Sequence, residues 1–435
     1  MAATGFAVGL GNIWRFPYIT GENGGGAFVI VYLGCAIFIG IPILIAEVMV
    51  GRHGQANPPR AIFNIATAEG RSPNWRFVGH LNLATAYTII GTYCVVAGWV
   101  LWYLLKAAST GFAGVDAEVA AADFGGVTAS IHGMVFWAFF SLALTGTIIF
   151  YGVNQGIERS VRVLMPTLFG LMLILVLYNA FQDGFLESVS YLFTPDFSQI
   201  TGTTFLAAVG QAFFSIGVGM AGMMIFGSYL PPQVSITRCV LIIIVIDTMV
   251  ALVAGLMIFP MVFRFGLDPA GGPGLIFQTL PVAFAQMPGG QLVAILFFSL
   301  LSVAAVTSMV GLLEPLVAWV EESTDMTRHQ ATLTMLTAVA ALGIVSVLSY
   351  NVIADWQIGS FNLNGILDFA ANQVMLPVGG LMIAVFTAWM MHKPTLRKEL
   401  FAVPDWLFES WHLLIRFLLP IAITVILVTG LAPAN

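Results

Sequence analysis

Several polar side chains stand inside apolar runs long enough to cross a bilayer, and their types suggest what they could hold. Asn12 and Arg15 follow the glycine-rich run GFAVGLGN, Glu47 lies in GIPILIAEVMVG, and Asp247 is the single charge in LIIIVIDTMVALVAG. Glu314 and Asp368 complete the set. An ionisable group at membrane depth is costly to bury and is therefore a functional candidate by default. Asp247 is the most telling, because an isolated ionised carboxylate needs a cation or a strong donor set, or it takes a proton. In SVAAVTSMVGLLEP, Ala304, Thr307 and Ser308 share one helix face at i, i+3 and i+4. One carbonyl and two hydroxyls on a face are the oxygen donors a hard monovalent cation takes, although membrane Ser and Thr commonly bond back to their own helix. Glu47 and Glu314 read as buried hydrogen bonds to unwound backbone, and Arg416 as a snorkelling or locally partnered side chain. The chemistry implied is ion and solute binding. No His, Cys or carboxylate cluster shows catalytic spacing, and the six histidines are scattered near ends and loops, so an enzyme is not expected.

The elements that must position these groups follow from composition. The 435 residues are 59% hydrophobic and 8% charged, whereas soluble domains are typically about a quarter charged. Apolar segments recur at roughly 1–20, 27–50, 78–105, 132–151, 161–181, 205–229, 237–262, 289–320, 330–349, 364–391 and 410–431. Each approaches the roughly 20 residues that a helix needs to span a bilayer. The reading is an all-α polytopic membrane protein of about eleven helices, with residues 1–435 forming one transmembrane domain. The segments are too long and too uniformly apolar for the strands of an outer-membrane barrel. Cys35, Cys94 and Cys239 fall in or beside apolar segments without paired spacing, as small core residues do.

Two of these helices carry glycine clusters, GFAVGLGN in the first and FFSIGVGMAGM at residues 213–223 in the sixth. Unwound backbone at membrane depth is tolerated only where it is buried in protein or lines a cavity. Small residues also let helices pack closely, but a pair of interruptions five helices apart points to inverted repeats with a binding site between the half-helices. The repeats are expected at about 1–182 and 205–391, with an extra helix at about 410–431. Half-helix ends offer free N–H groups to an anion and free carbonyls to a cation, so one broken helix can hold a carboxylate and an alkali ion together.

Charge sets the orientation. With the amino terminus inside, the inward turns carry Arg52, Arg60, Arg71, Arg76, Arg159, Arg162, Arg238, Arg328, Lys393, Arg397 and Lys398, which is 11 of the 15 basic residues. The outward loops carry only Lys106 and Arg264, while they collect Asp116, Glu118, Asp123, Asp183, Glu187, Asp196, Asp268 and Asp355. A multi-pass protein of the cell membrane is expected, amino terminus cytoplasmic and carboxyl terminus outside. The net charge of −6 belongs mostly to the outer face and implies no nucleic-acid partner. The first helix lacks the basic leader and cleavage site of a signal peptide.

Together, GFAVGLGNIWRFPY with NGGGAFVIVY, GIPILIAEVMVGRHG, GQAFFSIGVGMAG and VTSMVGLLEP resemble the neurotransmitter:sodium symporter family over essentially the whole chain. The eleven-helix count is similar to its shorter bacterial branch, whose members import amino acids. The resemblance implies a fold like that of the bacterial leucine transporter, a 5+5 inverted repeat with helices 1 and 6 broken. It also implies sodium-coupled symport by alternating access with two sodium ions and no organic cofactor. Carried over by residue, the first sodium site would use the Ala7 carbonyl, Asn12, Ser215 and Asp247 with the substrate carboxylate. The second would use the carbonyls of Gly5, Val8 and Ala304 with the hydroxyls of Thr307 and Ser308. The substrate carboxylate would meet the amides of Leu10 and Gly11 and the Tyr93 hydroxyl, and its amine the carbonyls of Ala7, Phe214 and Ser215. Ile89, Phe214, Gly217, Met220 and Leu312 would line the side-chain pocket. Arg15 and Asp368 would form an outer gate with Phe214 as lid, and Tyr229 and Glu322 would belong to an inner gate.

The apolar pocket residues favour a hydrophobic or aromatic amino acid. No carboxylate stands at Phe6 or Ala7, where monoamine carriers of the family keep an aspartate for their amine. Asp247 replaces an asparagine of the chloride-dependent animal relatives and Ala251 an anion-binding hydroxyl, so transport is expected to be independent of chloride. Only four residues precede Gly5, whereas the family carries a basic segment there that locks the inner gate. Either the start is assigned late or the inner gate lacks the partner of Glu322, which bears on coupling and not on the binding site. A sensor or scaffold of the same fold that binds an amino acid without moving it is the alternative, and a channel would need a continuous polar lining that these helices lack.

Overall fold

The computed structural model describes residues 2–270, 274–359 and 361–431. Among them, nine helices are long and apolar enough to cross a membrane: span 2 (Gly26–Gly54), span 3 (Pro73–Ser109), span 4 (Ile131–Phe150), span 5 (Val153–Ala180), span 7 (Ile236–Arg264), span 8 (Gly290–Ser323), span 9 (Arg328–Leu348), span 10 (Leu363–Met390) and span 11 (Asp405–Thr429). Two more are interrupted. Span 1 runs Ala2–Ala7 and resumes over Gly11–Arg15 and Phe16–Glu22. Span 6 runs Gly202–Ile216 and resumes over Gly222–Ser228. The nine and the two make the expected eleven.

Each break has a local cause. At span 6, Gly217, Gly219 and Ala221 take φ of 75°, 77° and 62°, a left-handed backbone that no right-handed helix can pass through. Gly217 closes the first half-helix, its N–H and that of Val218 both donating to the Phe213 carbonyl at 3.1 and 3.2 Å. At span 1 the helix ends with the Val8 N–H on Thr4, and the chain restarts with the Asn12 and Ile13 amides on the Gly9 carbonyl. Gly9 has no room for a side chain, since a Cβ there would lie 1.8 Å from Ser308 Oγ of span 8.

Spans 3 and 8 pack along each other at the centre, each with 67% of its apolar window buried, against 28% for spans 5 and 11 at the periphery. The broken spans lie against this pair. Several short helices were not legible in the sequence: Pro58–Ala68, Ala117–Ala129, Phe185–Phe193, Leu280–Gln286 and Lys393–Glu399. A search for membrane-length runs passes over helices of this size. A two-stranded hairpin also pairs Gln357 with Asn362 and Ile358 with Phe361.

Arg52, expected as a loop charge, is instead buried. Its guanidinium donates to Glu399 Oε2 at 2.7 Å, to the Glu399 carbonyl at 2.6 Å and to the Val234 carbonyl at 2.5 Å, while His53 Nδ1 meets Glu399 Oε1 at 2.9 Å. This ties the end of span 2 to the linkers before spans 7 and 11. Burial pushes the Glu399 carboxyl up, but the bonds from His53 and Arg52 outweigh it and hold the group below the usual carboxylate range. Arg416 is partnered locally, its guanidinium 4.5 Å over the Trp389 ring.

Candidate functional site

The two breaks face one another across a cavity. It is lined by Phe6, Ala7, Gly9 and Gly11 of span 1, Ile89 and Tyr93 of span 3, Phe214, Ser215, Gly217 and Met220 of span 6, and Ser308 and Leu312 of span 8. Nine of the ten expected substrate-site residues are therefore brought together. The tenth, Leu10, lines a second cavity, and its N–H donates to the Tyr93 hydroxyl at 3.2 Å. The Gly11 carbonyl accepts from Gln211 Nε2 at 2.8 Å, a tie between the broken spans that sequence reasoning missed.

Phe6 was missed as well. Its ring is the floor of the cavity and fits only because Gly217, Gly222 and Gly311 carry no side chain, where a Cβ would come within 2.6, 2.4 and 2.0 Å of it. Nothing in an apolar run marks one phenylalanine as a floor. The volume freed by three glycines on two other spans is what marks it.

Beside the cavity lies the carboxylate of Asp247, fully buried. Asn12 Nδ2 donates to Asp247 Oδ1 at 2.7 Å and sits 2.9 Å from Ser215 Oγ. The Ser215 hydroxyl lies 2.9 and 3.0 Å from the two Asp247 oxygens, and the Tyr32 hydroxyl adds a 3.3 Å contact. Asn12, Ser215 and Asp247, widely separated in sequence, thus form one cluster with a single formal charge and several oxygens. That donor set suits a hard monovalent cation, whose positive charge would neutralise the buried carboxylate. No His, Cys, Asp or Glu group of three or more that could bind a transition metal occurs among the described residues.

Of the second expected ion set, Thr307 and Ser308 are buried on the face of span 8 towards span 1. The Thr307 hydroxyl donates to the Val303 and Ala304 carbonyls at 3.0 and 3.1 Å, and the Ser308 hydroxyl to the Phe6 carbonyl at 3.4 Å. A hydroxyl that donates keeps lone pairs free to ligate, so these contacts are compatible with cation binding. Val8 is buried in the adjacent break, and Gly5 lies against Val161 and Met165 of span 5.

The profile described as the Sodium:neurotransmitter symporter family matches residues 1–120 and 123–434. The chain belongs to that family. It is 35% identical over 429 residues to the uncharacterized sodium-dependent transporter YhdH of Bacillus subtilis, covering 98% of this chain and 94% of that one. It is 32% identical over 440 residues to an uncharacterized sodium-dependent transporter of Haemophilus influenzae, covering 99% and 96%. Among solved structures, that of MhsT in complex with L-phenylalanine superposes with a TM-score of 0.91 at 38% identity, covering 99% of this chain and 97% of the other. The protein is therefore a multi-pass, sodium-dependent transporter of this fold and not an enzyme.

The symporter's second cavity, about 410 Å³, shares Gly11, Ile89, Tyr93 and Phe214 with the central one. Phe214 stands between the two cavities, with the Arg15 guanidinium 4.4 Å from its ring centroid. Asp368 lines the same second cavity and accepts from Asn372 Nδ2 at 2.7 Å. On the opposite face, Glu322 Oε2 accepts from both the backbone N–H and the side chain of Asn57 at 2.9 Å, and so holds the residue whose side chain caps the helix Pro58–Ala68. Tyr229 does not partner Glu322. Its hydroxyl donates to Glu314 at 2.8 Å. Glu314 was expected to bond to unwound backbone. It instead pairs with Arg328 at the head of span 9, because Arg328 folds back under span 8, where it also meets Glu321 at 3.1 Å. Glu47 does bond to unwound backbone, accepting from the Gly219 N–H at 3.0 Å.

Proposed function

We propose that this sodium-dependent symporter carries a hydrophobic or aromatic amino acid, with two sodium ions and without chloride. The observation that carries this reading is the cavity between the two breaks, lined by Phe6, Ile89, Phe214, Met220 and Leu312 on its apolar side, edged by non-helical backbone and adjoining a buried carboxylate. The Leu10 and Gly11 amides with Tyr93 suit an α-carboxylate, while Ile89, Phe214, Met220, Leu312 and Phe6 suit an apolar side chain. The likeness to MhsT, solved with L-phenylalanine, supports the same substrate class. Asn12, Ser215 and Asp247 with the Ala7 carbonyl are assigned to one sodium ion, and Gly5, Val8, Ala304, Thr307 and Ser308 to the other. Arg15, Phe214 and Asp368 are assigned to closure from outside, and Tyr229 and Glu322 to closure from inside. The two repeats, about 1–182 and 205–391, enclose the site in an orientation with the amino terminus cytoplasmic.

Three measurements test this. Thermal unfolding with each of the twenty amino acids, in sodium and in potassium, is expected to show stabilisation by apolar or aromatic amino acids in sodium only. No such hit would reject the substrate class. Uptake into vesicles is expected to survive replacement of chloride by gluconate, because Asp247 supplies a fixed negative charge where a mobile anion would otherwise be required. Collapse in gluconate would reject chloride independence. Saturable binding without counterflow would identify a sensor.

A further inference from the structure

Span 10 meets the span 6 break backbone to backbone. A Cβ on Gly219 would lie 2.7 Å from the Leu376 carbonyl oxygen, and one on Gly379 would lie 3.1 Å from the Gly219 carbonyl oxygen. The same Gly379 Cβ would lie 2.5 Å from Asn82 Oδ1 of span 3, so three spans converge on this point. Asn82 is fully buried. Neither its Oδ1 nor its Nδ2 has a hydrogen-bond partner among the described residues. Two other buried polar side chains are paired with backbone: Thr85, three residues on, donates to the Leu81 carbonyl at 2.9 Å, and Asn179 of span 5 donates to the Met257 carbonyl at 2.5 Å. A buried amide left unpaired disfavours the conformation that holds it so, and favours any conformation that pairs it.

The backbone within reach is the part of the molecule least fixed by helix geometry. Span 3 is unbroken and central, whereas Gly217–Ala221 is unwound, and unwound segments absorb the dihedral changes of a conformational transition. We propose that Asn82 is a positioning residue of the transport cycle, unpaired in the conformation described here and paired with the backbone of the span 6 break in a second conformation of the cycle. The side chain thereby raises the population of the second state and sets the ease of the transition between them. This rests on the symport reading above and adds to it a residue that touches neither the central cavity nor the ion sets.

The test compares the full chain, wild type, Asn82→Leu and Asn82→Ser, in potassium-loaded proteoliposomes diluted into sodium buffer, with radiolabelled L-phenylalanine as probe. Leucine matches the shape of asparagine without its polar atoms. Asn82→Leu is expected to unfold at a higher temperature, to bind the probe at least as tightly as wild type, and to take it up about tenfold more slowly, a shift of about 1.4 kcal/mol. Hydrogen exchange at the amides of Gly217–Ala221 is expected to slow. Asn82→Ser, which keeps a donor and an acceptor, is expected to lie closer to wild type in uptake. Wild-type uptake by Asn82→Leu, or parallel loss of binding, stability and uptake as a merely structural role would give, overturns the proposal. So does a serine variant slower than the leucine one. Absence of sodium-dependent probe binding by the wild type would instead remove the symport reading, and the inference with it.

Discussion

Asp247→Asn is expected to weaken sodium binding by about two to three orders of magnitude while leaving the chain folded. The amide has the shape of the carboxylate and, with its oxygen at the Oδ1 position, can still accept from Asn12 and Ser215, so the packing around this fully buried position is retained. What is lost is the one formal charge of the cluster. Unit charges about 4 Å apart attract by about 4 kcal/mol at an effective dielectric of about 20. At about 1.4 kcal/mol for each factor of ten, that is close to three orders of magnitude, and local rearrangement returns part of it. The measurement is the sodium concentration at half-maximal thermal stabilisation, with the intact far-ultraviolet signal reporting the fold. An unchanged sodium midpoint would mean that the carboxylate does not face the ion, and the cluster of Asn12, Ser215 and Asp247 would then be a structural network. Loss of the fold would point the same way.

That cluster was legible in the sequence because the bilayer makes polar residues conspicuous. An asparagine after a glycine run, a serine before another and an aspartate alone in fifteen apolar residues each stand out against their surroundings, and the structure brings the three within hydrogen-bonding distance. The breaks were legible for the same reason, since several glycines in a membrane helix are not explained by propensity. What could not be read depended on where chain ends and linkers fold. Arg52 and Arg328 look like any basic residue flanking a span, and counting them for orientation gives no hint that Arg52 is buried against Glu399 or that Arg328 reaches Glu314. Glu314 was misassigned for that reason, as its partner lies fourteen residues on, across the turn into span 9. Phe6 and Asn82 escaped for opposite reasons. A phenylalanine in an apolar run is unremarkable until three distant glycines leave room for it, and Asn82 sits in GHLNLATAYTII among enough polar neighbours to pass as a helix end.

The pairing of Glu314 with Arg328 gives the second large effect, on stability and on closure of the inner face together. Glu314 is fully buried, and Arg328 has 16% of its side chain exposed. Removing one partner of a buried ion pair leaves an uncompensated charge, which typically costs about 3–5 kcal/mol, whereas removing both charges is often close to neutral. Arg328→Gln alone is therefore expected to lower the unfolding free energy by about 3–5 kcal/mol, and the double variant Glu314→Gln, Arg328→Gln is expected to recover most of it. Denaturant unfolding in detergent of the wild type, both single variants and the double variant closes the cycle. The coupling should be large because Tyr229, which donates to the same carboxylate, cannot replace the lost cation. Additive single effects would mean that the charges are solvated independently and that the contact does not hold spans 8 and 9 together. If the coupling is large, the functional consequence follows from position. The pair joins Tyr229, at the end of the second half of span 6, to the head of span 9, so on the proposed alternating-access reading this half of the broken helix would have to give up the contact to move away from span 9. The double variant, stable but without the charge pair, is then expected to leak substrate inward faster than wild type at equal sodium-dependent binding, which separates a closure contact from one that only supports the fold.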